Sequence, residues 1–418
     1  MTFVPQELVD AIVSEIDDVP SLKACALTGS VFRDPSQRIL LRSLSLNQDF
    51  RGSSTLLDES PHVNAYIICL TIRLDWNPSV TDIERFQEIL VKLAIVRQCI
   101  MSGMGEEFRV GYHTPTFPSA LLCFLRRQPL QELNVLHWYN VPPAVILRFL
   151  ATAPMVSFFN VYVNEDTEVP TPDAQQSSAK PLEELIFEIN ANSVRMLFTQ
   201  PRFKSHTKAL RRLSLVARFD PSNSLIFDTA DTLQHIRLDL GGFTAGVLPL
   251  PPLPLLRSAE FLLLFYVNPT PWFSDLILAT LSASPLLTNI VISFFPLRND
   301  RSGVPGALLD ATLLATLDAA LVAHPARPTI RWRLDFMPDF HEPTGAESLF
   351  VAGVQSGMPK AHKEKRLTFE RCEDDVDELA YRKRFSEFIV EVQGWMPSVS
   401  TEGHLGFERY ELQRTLDG

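Results

Sequence analysis

Residues 6–46 open with apolar positions at a helical period. Stepping about 100° per residue, Leu8, Ile12, Ile16, Val9 and Val13 fall within about 140° on one side. Gln6, Glu7, Asp10, Ser14 and Asp17 fill the other side. Pro5 suits the first turn, where its missing N–H is no loss, and Glu7 suits the positive end of the dipole. The stripe is wider than packing against one neighbour requires. Asp17-Asp18-Val19-Pro20 ends this helix, and Ser21 is placed to cap a second one carrying Leu22, Cys25, Ala26 and Leu27. Val31 and Phe32 follow, and Asp34-Pro35 opens a third helix with Ile39, Leu40 and Leu41. Three helices of this length are near the lower limit for independent folding. Their surplus apolar surface must be covered by the rest of the chain or by a partner protein.

After Leu46 the pattern changes to apolar residues at i, i+3 and i+5. It reads Ile67-Leu70-Ile72, Val96-Cys99-Met101, Leu130-Leu133-Val135, Val156-Phe159-Val161 and Leu182-Leu185-Phe187. It continues as Leu210-Leu213-Leu215, Leu233-Ile236-Leu238, Leu256-Ala259-Phe261 and Leu287-Ile290-Ile292, with central members 23 to 34 residues apart. Each triplet describes a turn feeding a short strand whose alternate residues point inward and stack on those of its neighbours. Between triplets lie helical stretches such as Ala144–Ala151, Asp275–Ser282 and Ala307–Ala323, several stopped by Ala153-Pro154, Ser284-Pro285 or His324-Pro325. The expected fold class is therefore α/β, an irregular solenoid of strand and helix. This region resembles the divergent leucine-rich repeats of many fungal proteins, without the asparagine ladder of regular repeats. The alternative is a wound α/β domain, which would carry a glycine-bearing first strand-to-helix turn that is missing here.

Several segments interrupt the repeats. Asp166–Pro181 is polar and proline-rich and reads as a surface loop, and Gly241–Pro254 as an extended connector on apolar surface. Asn299–Gly306 reads as a loop, and Pro338–Lys365 as a long mobile one. Glu370–Gly394 reads as a charged helix and Gly406–Leu412 as a last strand, together capping the array. The expected domains are thus 1–46, a solenoid over 60–370 and a cap over 371–418.

Composition narrows the function classes. Of 418 residues 58 are Leu, so a large aliphatic core is available, while 17 Gly leave little for nucleotide-binding loops. The net charge of −11 argues against nucleic acid or an anionic membrane as partner. The longest apolar run, Phe261 to Val267, is far short of the ~20 residues of a membrane helix, and MTFVPQELVD has no basic stretch before an apolar one, so neither a membrane span nor a secretory leader is expected. A cytoplasmic or nuclear protein is expected. Cys25, Cys69, Cys99, Cys123 and Cys372 form no CxxC, and the scattered His residues form no HExxH. No P-loop and no GxSxG elbow occurs, so no cofactor, no metal and no catalytic residue is expected.

The order Val4-Pro5-Gln6-Glu7-Leu8, then Ile12, Ser21-Leu22, Cys25 to Leu27 and Phe32 resembles the F-box. Val4-Pro5 stands where that family commonly opens Leu-Pro, and Thr28 where a Val is common. The resemblance implies a substrate receptor of a Skp–cullin–F-box ubiquitin ligase, not an enzyme in itself. Val4, Pro5, Leu8, Ile12, Leu22 and Phe32 would face the Skp adaptor or shape the surface that does. Cullin would follow through the adaptor, and the solenoid would hold an unknown protein target. In horseshoe repeats the concave strand face is the usual binding surface, which makes Glu132, Asn134, Glu184, Arg212, Ser214 and Arg237 its candidates. The alternative is a stand-alone repeat scaffold whose N-terminal helices only cap the array.

Overall fold

The computed structural model describes residues 5–47, 50–74, 80–103, 116–139, 141–163, 180–189, 201–216, 224–239, 250–265, 272–296, 311–334 and 346–371. It begins with three helices, α1 (Gln6–Ser14), α2 (Val19–Thr28) and α3 (Ser30–Leu40). Val9, Val13 and Leu22 form a small core on which Ile16, Phe32 and Leu40 pack, separate from the main core of the chain. Two expected helix starts shift. The cap of α2 is Asp18 rather than Ser21: its carboxylate accepts the Ser21 N–H at 2.7 Å, and Pro20 lies in the first turn, where no donor is needed. The third helix starts at Ser30, so Pro35 lies inside it rather than opening it. Pro35 has no N–H for the Val31 carbonyl, and Gln6 Nε2 of α1 donates to that oxygen instead at 3.4 Å.

The chain then enters a sheet through β1 (Ser43–Leu46), β2 (Cys69–Leu74), β3 (Gln98–Gly103) and β4 (Glu132–Leu136). It continues as β5 (Met155–Val161), β6 (Glu184–Ile189), β7 (Arg212–Val216) and β8 (His235–Asp239). β9 (Ser258–Phe265), β10 (Asn289–Pro296), β11 (Thr329–Leu334) and β12 (Leu367–Arg371) complete it. Among the described residues the 12 strands form one sheet in strictly sequential order, every neighbouring pair parallel. A wound domain reverses its strand order at a switch point, and no reversal occurs here. Crossovers that all run in one direction along a parallel sheet carry the connecting helices to one face. On the other face most outward strand residues are half-buried, while Ser102, Glu260, Leu262, Val291 and Ser293 are buried. The result is an α/β, solenoid-like arrangement.

Burial follows the pleat. In β4, Leu133 and Val135 are fully buried while Glu132, Asn134 and Leu136 are half-buried on the opposite face. The inward rows join one core running from Leu44 to Ala361. Aromatic pairs such as Phe158 with Phe187 (centroids 5.2 Å apart) and Trp332 with Phe350 (5.8 Å) tie adjacent turns together.

A backbone ladder repeats where the strands begin. The Arg97 carbonyl accepts from Gln131 N and Glu132 N, Pro154 from Glu183 N and Glu184 N, and Glu183 from Arg211 N and Arg212 N. Arg211, Gln234 and Arg257 continue it, each accepting two N–H groups of the next turn. Side chains complete the seam. Gln128 donates to the Leu93 carbonyl and accepts the Val96 N–H, while Arg366 donates to the Leu321 and Pro328 carbonyls. His324 meets the Ser284 carbonyl through Nε2 and the Ala326 N–H through Nδ1, so the proton sits on Nε2. These contacts occupy carbonyls that helix ends leave open.

Four sequence expectations are revised. In the fourth triplet Val156 and Phe158 point inward and Phe159 outward, in register with Leu133, Val135 and Leu136. The inward rhythm resumes at Val161 because Asn160 adopts a left-handed backbone (φ 51°). Strands β1, β11 and β12 belong to the sheet without having been among the triplets. Pro338–Lys365 is not one long mobile loop: helices Ala346–Gly357 and Pro359–Lys363 occupy most of it, burying Phe350, Val354, Met358 and Ala361. Glu370 lies in β12 rather than in a charged helix, and the rest of the cap expected over 371–418 lies outside the described residues. So do Val4, Cys372, Asn299–Gly306 and most of the two other loops, Asp166–Pro181 and Gly241–Pro254.

Candidate functional site

Two surfaces collect chemistry that the fold does not consume. The first is α1. Its wide apolar stripe divides in two: Val9 and Val13 are buried, whereas Leu8 and Ile12 are 56% and 55% exposed. Pro5 is exposed beside them, its carbonyl accepting from Leu8 N and Val9 N. Leu22 is buried and Phe32 half-buried beneath, so both shape the unit from inside. Val19, Leu27, Val31 and Ile39 are further exposed apolar residues of the same three helices. Exposed apolar groups gathered on one small unit are the kind of surface that marks an interaction site.

The unit is tied to the sheet at one side. Leu41 packs on the main core, and Arg42 O accepts the Ile68 and Cys69 N–H groups. The Tyr66 hydroxyl donates to Asp34, which also pairs with Arg38 at 2.7 Å. That hydrogen bond to the Asp34 carboxylate, with burial, raises the Tyr66 hydroxyl above its ordinary pKa.

The second surface is the outward face of the sheet. All six outward residues expected there lie on it: Glu132, Asn134, Glu184, Ser214 and Arg237 are half-buried, and Arg212 is exposed. Over β2–β5 their neighbours form one polar chain. Cys69 Sγ donates to Gln98 Oε1 (3.0 Å), and Gln98 Nε2 donates to Glu132 Oε2 (3.0 Å). Asn134 Nδ2 donates to Glu132 Oε1 (2.7 Å), and the Ser157 hydroxyl donates to Asn134. Both oxygens of Glu132 thus accept from neutral amides. Glu184, two strands away, pairs with Arg212 at 3.1 Å. Burial pushes the Glu184 carboxyl above its ordinary pKa, Arg212 pulls it down, and the Glu132 charge pushes it up again.

Towards β12 the same face carries arginines. Arg237 and Arg333 flank the buried Glu260 at 3.8 and 3.6 Å, and Arg331 reaches Glu370 at 3.2 Å. Partner charges offset one another here, and Glu260 would not be tolerated without them.

A third feature, which no sequence motif marked, sits where β4 and β5 end. His137, one residue past β4, and Asn160 of β5 both take left-handed backbones (φ 55° and 51°), each directly following a member of the register pair Leu136 and Phe159. Asn160 Nδ2 lies 3.1 Å from His137 Nδ1 and donates to Tyr139 Oη at 3.3 Å. Tyr139 stacks on Tyr162 with centroids 4.7 Å apart. Burial holds His137 below its ordinary pKa. The repeat of Phe, Asn, Val and Tyr at 159–162 beside His137 and Tyr139 carried no recognisable spacing, so only the structure assembles it.

Among the described residues no three His, Cys, Asp or Glu side chains come together to hold a metal ion, and no helix is long and apolar enough to cross a membrane. Cys99 is buried, which pushes its thiol up to about 12 and leaves it unreactive. No protein-family model matches the chain, and no curated protein matches it.

Proposed function

We propose that this chain is the substrate-receptor subunit of a Skp–cullin–F-box ubiquitin ligase, with residues 1–46 as its F-box and a leucine-rich-repeat-like solenoid as its target-binding part. The single observation that carries this reading is the divided stripe of α1. Val9 and Val13 build the helical unit, and Leu8 and Ile12 are left over for a partner. Pro5, Leu8 and Ile12 would touch the Skp adaptor, Val4 would extend that contact, and Leu22 and Phe32 would hold the surface in shape. The chain performs no chemistry itself. It raises the concentration of a bound target beside the ubiquitin-transferring enzyme, which is catalysis by proximity.

The test is co-purification of the full chain with the Skp adaptor and cullin of the same organism. A ternary complex is expected, with cullin retained only when the adaptor is present. Failure of the adaptor to bind would overturn the reading. A second reading has an observation of its own: the helical unit joins the sheet through Leu41 and Arg42, as a solenoid cap would. A stand-alone scaffold of that kind would retain neither adaptor nor cullin.

A further inference from the structure

The outward face over β3–β6 mixes half-buried apolar residues with acid. Ile100, Leu136, Met155, Phe159 and Ile186 all point to the outward side of the sheet, away from the inward rows, and are half-buried there. In the register of the sheet Met155 lies directly between Glu132 and Glu184, one strand away from each. At about 4.8 Å per strand the two backbone positions are about 10 Å apart. That is room for one extended side chain lying over the Met155 thioether. The two carboxylates differ in their partners. Glu184 has Arg212, whose side chain is 63% exposed, on the outer flank. Glu132 accepts from Gln98 on the β3 side and from Asn134 on its own strand, both neutral amides, and among the described residues no cation pairs with it. Burial lifts the Glu184 carboxyl and the Glu132 charge adds to the rise; a cation between the two would relieve that second contribution.

We infer that the face centred on Met155 seats a segment of a partner protein in which a Lys or Arg adjoins an apolar residue. The cationic head lies between Glu132 and Glu184, its stem runs along Met155, and the apolar neighbour rests on Ile100 or Ile186. A long basic side chain suits this place because its stem is apolar and its head is charged. An acidic or phosphorylated segment would meet two carboxylates and is disfavoured there. The inference rests on the target-binding role proposed above, and it gives that role a chemical class.

Panning a displayed library of random dodecapeptides on the full-length protein tests it. Enriched peptides are expected to carry Lys or Arg next to an apolar residue. Synthetic copies of them should lose at least tenfold in affinity to Glu132→Gln, and again to Glu184→Gln. Both substitutions keep the shape and hydrogen-bonding capacity of the side chain, and an unchanged melting temperature confirms the fold. Enriched peptides without a basic residue, peptides that bind both variants as tightly as the wild type, or no enrichment at all would each overturn the inference. The adaptor assay reads a different surface, so failure of the F-box reading and failure of this inference are seen separately.

Discussion

Gly103 ends β3 against the buried ring of Trp138. A Cβ there would lie 2.8 Å from Trp138 Cδ1 and 3.1 Å from the His137 carbonyl. Neither neighbour can give way, since Trp138 is 2% exposed and packs edge-on against Phe149. Gly103→Ala is therefore expected to cost about 1–3 kcal/mol by overpacking, read as a lowered denaturation midpoint; an unchanged midpoint would contradict the close approach. Nothing in the sequence marks Gly103, because the clash lies with residues 34 and 35 positions away, just past the end of β4. Phe159 teaches the same lesson differently. Phe158 and Phe159 are equally apolar, so periodicity alone cannot say which faces inward. The answer depends on Asn160, whose left-handed backbone restores the inward rhythm at Val161. Asn is a residue that tolerates this conformation, but tolerance does not announce it.

At the scale of elements, α1 was readable and its neighbours were only partly so. The width of its stripe already implied two partners, and the structure supplies the inner one as Leu22, Phe32 and Leu40, on which Val9 and Val13 pack. The start of α2 was misplaced by three residues because Asp18 and Ser21 are both good caps, and only the geometry chooses Asp18. The hydrogen bond from the Ser21 backbone holds the Asp18 carboxyl below its ordinary pKa. A depressed carboxylate stabilises the fold above its unfolded value, near 3.8, and that contribution disappears as pH falls through the folded value. The stability difference between the wild type and Asp18→Ala should accordingly be present at neutral pH and close below about pH 4. A difference independent of pH would mean that the carboxylate is not the cap. Helix Ala346–Gly357 was concealed by its glycines, although Phe350, Val354, Met358 and Ala361 recur at helical spacing. Gly357 earns its place by packing on Leu314, whose Cδ1 lies 2.5 Å from where a Cβ would be.

For the whole molecule, the repeated triplet is what made the sheet legible. Inward residues must stack on their equivalents in the next turn, so the same spacing recurs from Leu70 to Ile290. Strands β11 and β12 escaped because the first place of the triplet is taken by Arg327, in a left-handed backbone, and by Glu364. Leu213 and Ile236 are register partners on adjacent strands and are fully buried. Leu213→Asp or Ile236→Asp would place an unpaired charge in the shared core, at a cost of roughly several kcal/mol. Chemical denaturation should show it, and a loss below about 1 kcal/mol at both would mean that the core is not continuous there. The candidate sites were less legible than the fold. Glu132 and Glu184 are far apart in sequence, and only the parallel register brings them to either side of Met155.

The division of labour within α1 is the centre of this account, and one titration tests it. The purified Skp adaptor is titrated calorimetrically into the full-length chain and into its Leu8→Asp/Ile12→Asp variant, with circular dichroism and melting temperature recorded for both. The expected result is binding by the wild type, a loss of about 30-fold or more in the variant, as for hot-spot residues worth roughly 2 kcal/mol, and an unchanged fold. Equal affinity of the two folded proteins for the adaptor, or no binding by either, would contradict the account.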